Sequence, residues 1–131
     1  MCVVRTENPQ RSSPSAAISN CVVHLICEYT GRGPTKAHTT ISDCLVTVLL
    51  QDTMTKGERS LVRDGESDLV LSTRKAYQRT MRADLVAGIE QILQRKVVAF
   101  MSDNHIDPDL AIEAFVLAPT DRNGAAPQAV R

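Results

Sequence analysis

The chain of 131 residues contains no tryptophan and only two tyrosines and two phenylalanines. That leaves few rings on which nucleobases could stack. Charge of either sign is not in excess: fifteen lysines and arginines balance fifteen aspartates and glutamates. No global field therefore draws the chain to nucleic acid or to acidic lipid. Long apolar runs are missing as well, and none approaches the ~20 residues that a membrane span needs. The first fifteen residues have no apolar core of the kind a secretory signal requires. Cysteines stand at 2, 21, 27 and 44, none in Cys-x-x-Cys spacing and none matched to a histidine at zinc-finger spacing. Free thiols in a reducing cytoplasm are the expectation. The length suits one domain with a real core and is too short for two. Neither membrane insertion nor nucleic-acid binding is expected.

What is present is concentrated near the C-terminus. Residues 96–101 and 110–118 are two apolar, β-prone runs, and they hold both phenylalanines, Phe100 and Phe115. Between them, residues 102–109 form a polar stretch with three aspartates, His105 and Pro108. Two such runs around a polar, proline-containing loop predict a hairpin. Within the second run, Ile112, Ala114 and Val116 alternate with Glu113, Phe115 and Leu117. Both faces of that strand are largely apolar, so both call for cover.

The rest of the chain supplies the remaining elements. Residues 1–15 are polar and read as a disordered lead. Residues 17–30 carry Ile18, Cys21, Val22, Leu25, Ile26 and Tyr29 on one broad helical face. Ser13 or Ser15 can cap that helix, and Gly31 is placed to end it with a positive φ. Residues 36–42 and 44–51 predict a second hairpin turning at Ser42-Asp43, with Thr39 and Thr47 giving it a mixed face. Thr55 and Glu58 match a capping box for a short helix over residues 56–63, which Asp64-Gly65 ends. From Ser67, a candidate cap, apolar residues recur at three-four spacing to Leu93, as one helix or as two joined near Ala83. Residues 120–131 read as a disordered tail, which leaves one domain over residues 16–119. The order α-β-β-α-α-β-β predicts an α+β fold, with a four-stranded antiparallel sheet made of two hairpins and helices packed on it.

The residues Tyr29-Thr30-Gly31-Arg32-Gly33-Pro34 carry a family resemblance. They resemble the Tyr-x-Gly-Arg-Gly-Pro element of the MpsC-like family, named for a Na+-translocating membrane-potential-generating system. Residues 41–49 with Asp43 resemble its first hairpin. Thr55-Lys56-Gly57-Glu58 stands where the family has a Thr-Pro-Ala-Glu type of helix start. Gly65 and Arg74 fit its long helix, Lys96-Val97-Val98 with Asp103 its third strand, and Phe115-Val116-Leu117 its last. The resemblance covers about residues 17–119. It implies a small soluble protein associated with cation-coupled energisation and inorganic-carbon supply, with no catalytic residue to carry over and membrane-transport subunits as possible partners.

Four clusters are candidates for chemistry. Asp103, His105, Asp107 and Asp109 place ligand atoms at every second position, which on an extended chain share one side. A hard cation or a transition metal is conceivable there. Pro108 breaks the alternation, however, and a turn with Asp caps fits the residues better. Gly31-Arg32-Gly33-Pro34 has the composition of a phosphate cradle, but it follows a helix, whose C-terminal dipole is negative. A C-cap and tight turn built on Gly31, Gly33 and Pro34 is the preferred reading, with Arg32 left for a carboxylate or an anion. Lys75, Arg79 and Arg82, with Arg74 beside them, form a basic stripe that could hold nucleic acid, acidic lipid or a small anion such as bicarbonate, with a solvated face as the preferred reading. Tyr77 shares a helix side with Leu69, Thr73 and Met81 and is expected to pack in the domain. Cys21 and His24 stand at i,i+3, but Cys21 belongs to the apolar face and reads as a core residue.

A non-enzymatic accessory or regulatory protein, acting through protein contacts, is the first functional reading. A small-anion or ligand sensor using Arg32, Gly33 and the basic stripe is the second. A metal-dependent enzyme at the Asp-His loop is the third. No cofactor is expected. The apolar second face of the sheet predicts a homodimer.

Overall fold

The computed structural model describes residues 13–120. The elements run α1 (Pro14–Thr30), β1 (Lys36–Ser42), β2 (Leu45–Gln51), α2 (Lys56–Arg63), α3 (Ser67–Leu93), β3 (Val97–His105) and β4 (Leu110–Leu117). This is the α-β-β-α-α-β-β order read from the sequence, and α3 is one helix with no joint at Ala83. Of the lead expected over residues 1–15, residues 1–12 lie outside the described residues and Pro14 and Ser15 already belong to α1; of the tail expected over residues 120–131, residues 121–131 lie outside them.

Local chemistry sets most of the boundaries. The Ser13 hydroxyl accepts from the Ala16 amide, so α1 begins at Pro14, earlier than its apolar periodicity suggests. Gly31 ends α1 at φ 80°, and its amide donates to the Cys27 carbonyl at 2.8 Å. Thr55 and Glu58 form a reciprocal capping box on α2. The cap expected at Ser67 is not there: Glu66 stands at the N-cap without a side-chain bond, and Ser67 is already helical. The first hairpin turns one residue later than predicted, at Asp43-Cys44, with Ser42 paired to Leu45 and Asp43 at φ 42°.

The sheet has the order β1-β2-β4-β3, antiparallel throughout. Period-two alternation sends Val46, Val48 and Leu50 of β2, and Ala111, Glu113, Phe115 and Leu117 of β4, to one face. On that face lie α1, through Ile18, Val22 and Ile26, and α3, through Met81, Leu85 and Ile89. Thr39 also points inward, where its hydroxyl meets that of Ser19 at 2.7 Å, while Thr47 belongs to the other face. Phe100 and Phe115 are cross-strand partners with ring centroids 5.1 Å apart. Arg95 ties the β1–β2 turn to the end of β4 by donating to the carbonyls of Asp43 (2.8 Å) and Ala118 (2.9 Å).

Strand β3 is longer than the sequence suggests. Ser102, Asp103, Asn104 and His105 pair with Glu113, Ile112, Ala111 and Leu110. The turn shrinks to residues 106–109, and Asp103 and His105 sit on a strand rather than in a loop. The polar stretch stays extended because it pairs with β4, with Ser102 and Asn104 turned inward, Asn104 bonded to Gln78 and Arg74, while Asp103 and His105 point to solvent.

Cys21 and Cys44 are free thiols, as expected, whereas Cys27 is disulfide-bonded. Cys21 faces Gly88, where an added Cβ would stand 2.6 Å from its Sγ. Gly88 thus sets how closely α1 approaches α3. Gly88→Ala is expected to cost about 1–3 kcal/mol, toward the low end because the thiol can rotate. Gly31→Ala is expected to cost about 1 kcal/mol through its left-handed backbone alone. Chemical denaturation checks both. Pairing Gly88→Ala with Cys21→Ala should restore stability, and an additive double variant would refute the contact.

Candidate functional site

Between the helix layer and the sheet lies a cavity of about 270 Å³. Its apolar wall is made by Ile26, Leu50, Met81 and Ala111, and Tyr77 stands at its half-exposed rim. Tyr77 is therefore not packed into the core. The polar wall gathers residues from four elements: Glu58 of α2, Arg74 and Gln78 of α3, Asn104 of β3 and Glu113 of β4.

Almost every polar group here is already committed. The Arg74 guanidinium bonds the Glu58 carboxylate through Nε (3.0 Å) and Nη2 (3.2 Å), a two-pronged pair that is mostly buried. Its Nη1 donates to Asn104 Oδ1 at 3.2 Å. Gln78 and Asn104 exchange two amide bonds, each 3.1 Å. Glu58 also accepts from the Thr55 amide, so the capping box of α2 and the cavity share one carboxylate.

Glu113 differs. It is 1% exposed, and its Oε2 has no hydrogen-bond partner among the described residues. Ser102 stands directly across the ladder, and its Oγ is likewise unpartnered. Burial raises the Glu113 pKa to about 7, with the Ser102 hydroxyl and the Arg74 charge opposing the rise. The hydroxyl lies close enough to favour the ionised form yet outside full hydrogen-bond geometry. Residue patterning alone would have flagged this group. A glutamate alternating with Ala111, Phe115 and Leu117 must share their face, and that face is the core.

The other candidates fall apart spatially. Asp103 Oδ1 accepts from the Asn104 amide (2.8 Å), and His105 Nδ1 lies 2.8 Å from the Pro108 carbonyl. Asp109 turns away to accept from the Thr53 hydroxyl (2.8 Å) and the Met54 amide (2.9 Å). Among the described residues, no three of His, Cys, Asp and Glu converge in a way that could hold a metal ion. Arg32 reaches from the Gly31-Gly33 turn to Asp52 at 2.9 Å, and Asp52 also pairs with Arg59. Gly33 lies against α1, where an added Cβ would meet Val23 at 3.4 Å. Lys75, Arg79 and Arg82 line a shallow groove with Phe100 and Ser102, and the Arg82 guanidinium lies 5.8 Å from the Phe100 ring. Arg74 faces the cavity instead. His24 pairs with Glu28 at 3.0 Å rather than with Cys21, and burial pushes the Cys21 thiol up, away from the reactive thiolate.

The far face of the sheet carries no helix among the described residues. Its rows read His38, Leu49, Ile112, Asp103 and then Thr40, Thr47, Ala114, Met101 across the four strands. Leu45, Val98, Met101 and Ile112 are 41, 52, 55 and 37% exposed.

The Glu113 pKa has a sign that can be checked. The folded value, about 7, lies above the ordinary 4.5, so the native state binds the proton more tightly than the unfolded chain. Stability from this group is full below about pH 4.5 and is lost as pH rises through 7, by about 3 kcal/mol in all. Glu113→Gln should flatten that loss between pH 5 and 8, as read from pH-dependent denaturation. Parallel profiles for wild type and variant would refute it.

None of the curated proteins and none of the solved structures matches the chain. The family model described as "Na+-translocating membrane potential-generating system (MpsC)" matches residues 10–119. That span includes the Gly31-Gly33 turn, both hairpins and every residue of the cavity. The chain belongs to the MpsC family.

Proposed function

We propose that this protein is a non-enzymatic accessory subunit of a Na+-translocating membrane-potential-generating system, working through protein contacts as a cytoplasmic homodimer. The observation that carries the reading is the bare apolar face of the sheet. Apolar side chains of this size in one contiguous patch mark an interaction surface. The family description supports a place in a multi-subunit ion system. No helix among the described residues is long and apolar enough to cross a membrane.

A second copy is the occupant that the edges favour. A two-fold axis along the strands lays β1 of one copy over β3 of the other. Because His38, Leu49, Ile112 and Asp103 share a row, that operation sets His38 opposite Asp103 on both sides of the patch. The apolar centre is then flanked by two pairs of complementary groups.

The anion-sensor reading retains one support, the groove of Lys75, Arg79 and Arg82 beside Phe100. It takes second place because the groove is shallow and its cations are exposed. A rise in melting temperature with bicarbonate, lost in Arg79→Ala, would promote it.

Light scattering after size exclusion at micromolar concentration tests the first reading. A mass of twice 14.3 kDa is expected, and Met101→Lys with Ile112→Lys should return it to 14.3 kDa. Asp103→Lys should weaken the dimer at least tenfold. A wild-type mass of 14.3 kDa would overturn the pairing.

A further inference from the structure

We propose that the cavity beneath Tyr77 is a binding site for a small organic ammonium ion, with the Glu113 carboxylate as its counter-ion. The inference is independent of the dimer.

Among the described residues, Glu113 Oε2 and the Ser102 hydroxyl beside it are the buried groups at the polar end of the cavity without a hydrogen-bond partner. Asn104, Gln78, Arg74 and Glu58 satisfy one another. Glu113 Oε2 is buried and unsatisfied. Such a group is normally paired, because an unmet buried acceptor loses its full hydration. A ligand that donates to it is the missing partner.

Charge narrows the class. Among the described residues, three acidic or basic side chains line the cavity, Glu58 of α2, Arg74 of α3 and Glu113 of β4, and the Tyr77 phenol at the rim is neutral near pH 7. The strand β3 contributes the neutral Ser102 and Asn104 beside Glu113, and β2 contributes Leu50. Two carboxylates against one guanidinium leave a single negative charge once Glu113 ionises, so the ligand is a monocation. An anion would meet the wrong sign there.

The walls decide between an organic and an inorganic cation. A metal ion needs several oxygen ligands converging on one point, and a single free carboxylate among apolar side chains does not provide them. Ile26, Leu50, Met81 and Ala111 suit a hydrocarbon body. The volume of about 270 Å³ holds roughly nine waters' worth of liquid, which limits the ligand to a short chain or a single ring. The ammonium end then lies against Glu113, and the body lies under Tyr77.

Binding is coupled to one proton. In the empty cavity the Glu113 carboxyl carries its proton below neutral pH. The ammonium ion binds the carboxylate, and that proton leaves to solvent. Burial sets the titration near pH 7 against the opposing pull of the Ser102 hydroxyl and the Arg74 charge, so affinity falls on acidification through that point.

The test uses the full chain and n-butylammonium chloride, with n-butanol and sodium chloride as comparison probes, followed by calorimetry and by amide chemical shifts. Saturable butylammonium binding is expected at pH 8, about tenfold weaker at pH 6, with release of one proton near neutrality. Butanol should bind at least tenfold more weakly, and sodium should not perturb Ser102, Asn104 or Glu113. Glu113→Gln should lose at least tenfold in affinity. Equal binding of butanol and butylammonium, or affinity independent of pH, overturns the proposal without needing any variant. Saturable sodium binding at Glu113 overturns it in favour of a metal site. Should Glu113→Gln not fold, the pH dependence and the butanol comparison decide.

Discussion

A four-stranded sheet has two faces, and the helices of this chain cover one. Everything else follows from that constraint. The covered face receives Val46, Val48, Leu50, Phe115 and Leu117, each almost fully buried. Burial of such a side chain contributes about 1.5–3 kcal/mol, so the helix layer and the sheet hold each other. The uncovered face keeps Leu45, Leu49, Met101, Ile112 and Val116, because a strand with apolar residues on both sides cannot hide both behind a single layer. That apolar second face is the basis of the proposed pairing.

The polar end of the covered face is a separate matter. Ser102, Asn104 and Glu113 belong to the same inward alternation as Phe100 and Phe115, but they meet Gln78 and Arg74 of α3 instead of hydrocarbon. A buried carboxylate costs several kcal/mol unless it is paired or protonated. Glu113 manages this with a raised pKa. Arg74 is held by Glu58 and Asn104, so it cannot fully neutralise a second carboxylate. The cavity and the buried acid beside it thus arise from the same packing that closes the core. The bare face and the cavity lie on opposite sides of the sheet.

Much of the fold was legible in the sequence because its signals are local. Helix α1 is marked by Ile18, Val22 and Ile26 and by Gly31, α2 by the Thr55-Glu58 box, and the hairpins by β-prone runs around polar turns. The misreadings share one cause. Ser102-Asp103-Asn104-His105 has loop composition, and only its pairing with residues 110–113 keeps it extended. The partners Gln78 and Arg74 lie about thirty residues away in sequence, which no local pattern reveals. Residues grouped by spacing, such as Asp103, His105, Asp107 and Asp109, separated once the strand took its register and Asp109 turned to Thr53 and Met54. The basic stripe survived as a groove because i,i+3 and i,i+4 spacing on a helix is a local property. Glu113 was legible from alternation, but its consequence depends on Arg74 being occupied elsewhere.

The pairing of sheet faces is tested most directly by methyl NMR with a soluble paramagnetic probe at micromolar protein concentration. Leu69, about half exposed on α3, serves as the reference for an open side chain. If the faces pair, the methyl groups of Met101, Ile112 and Leu45 relax much less than that of Leu69, and dilution restores their relaxation. Relaxation of Met101 and Ile112 equal to that of Leu69 at every concentration would contradict a covered face.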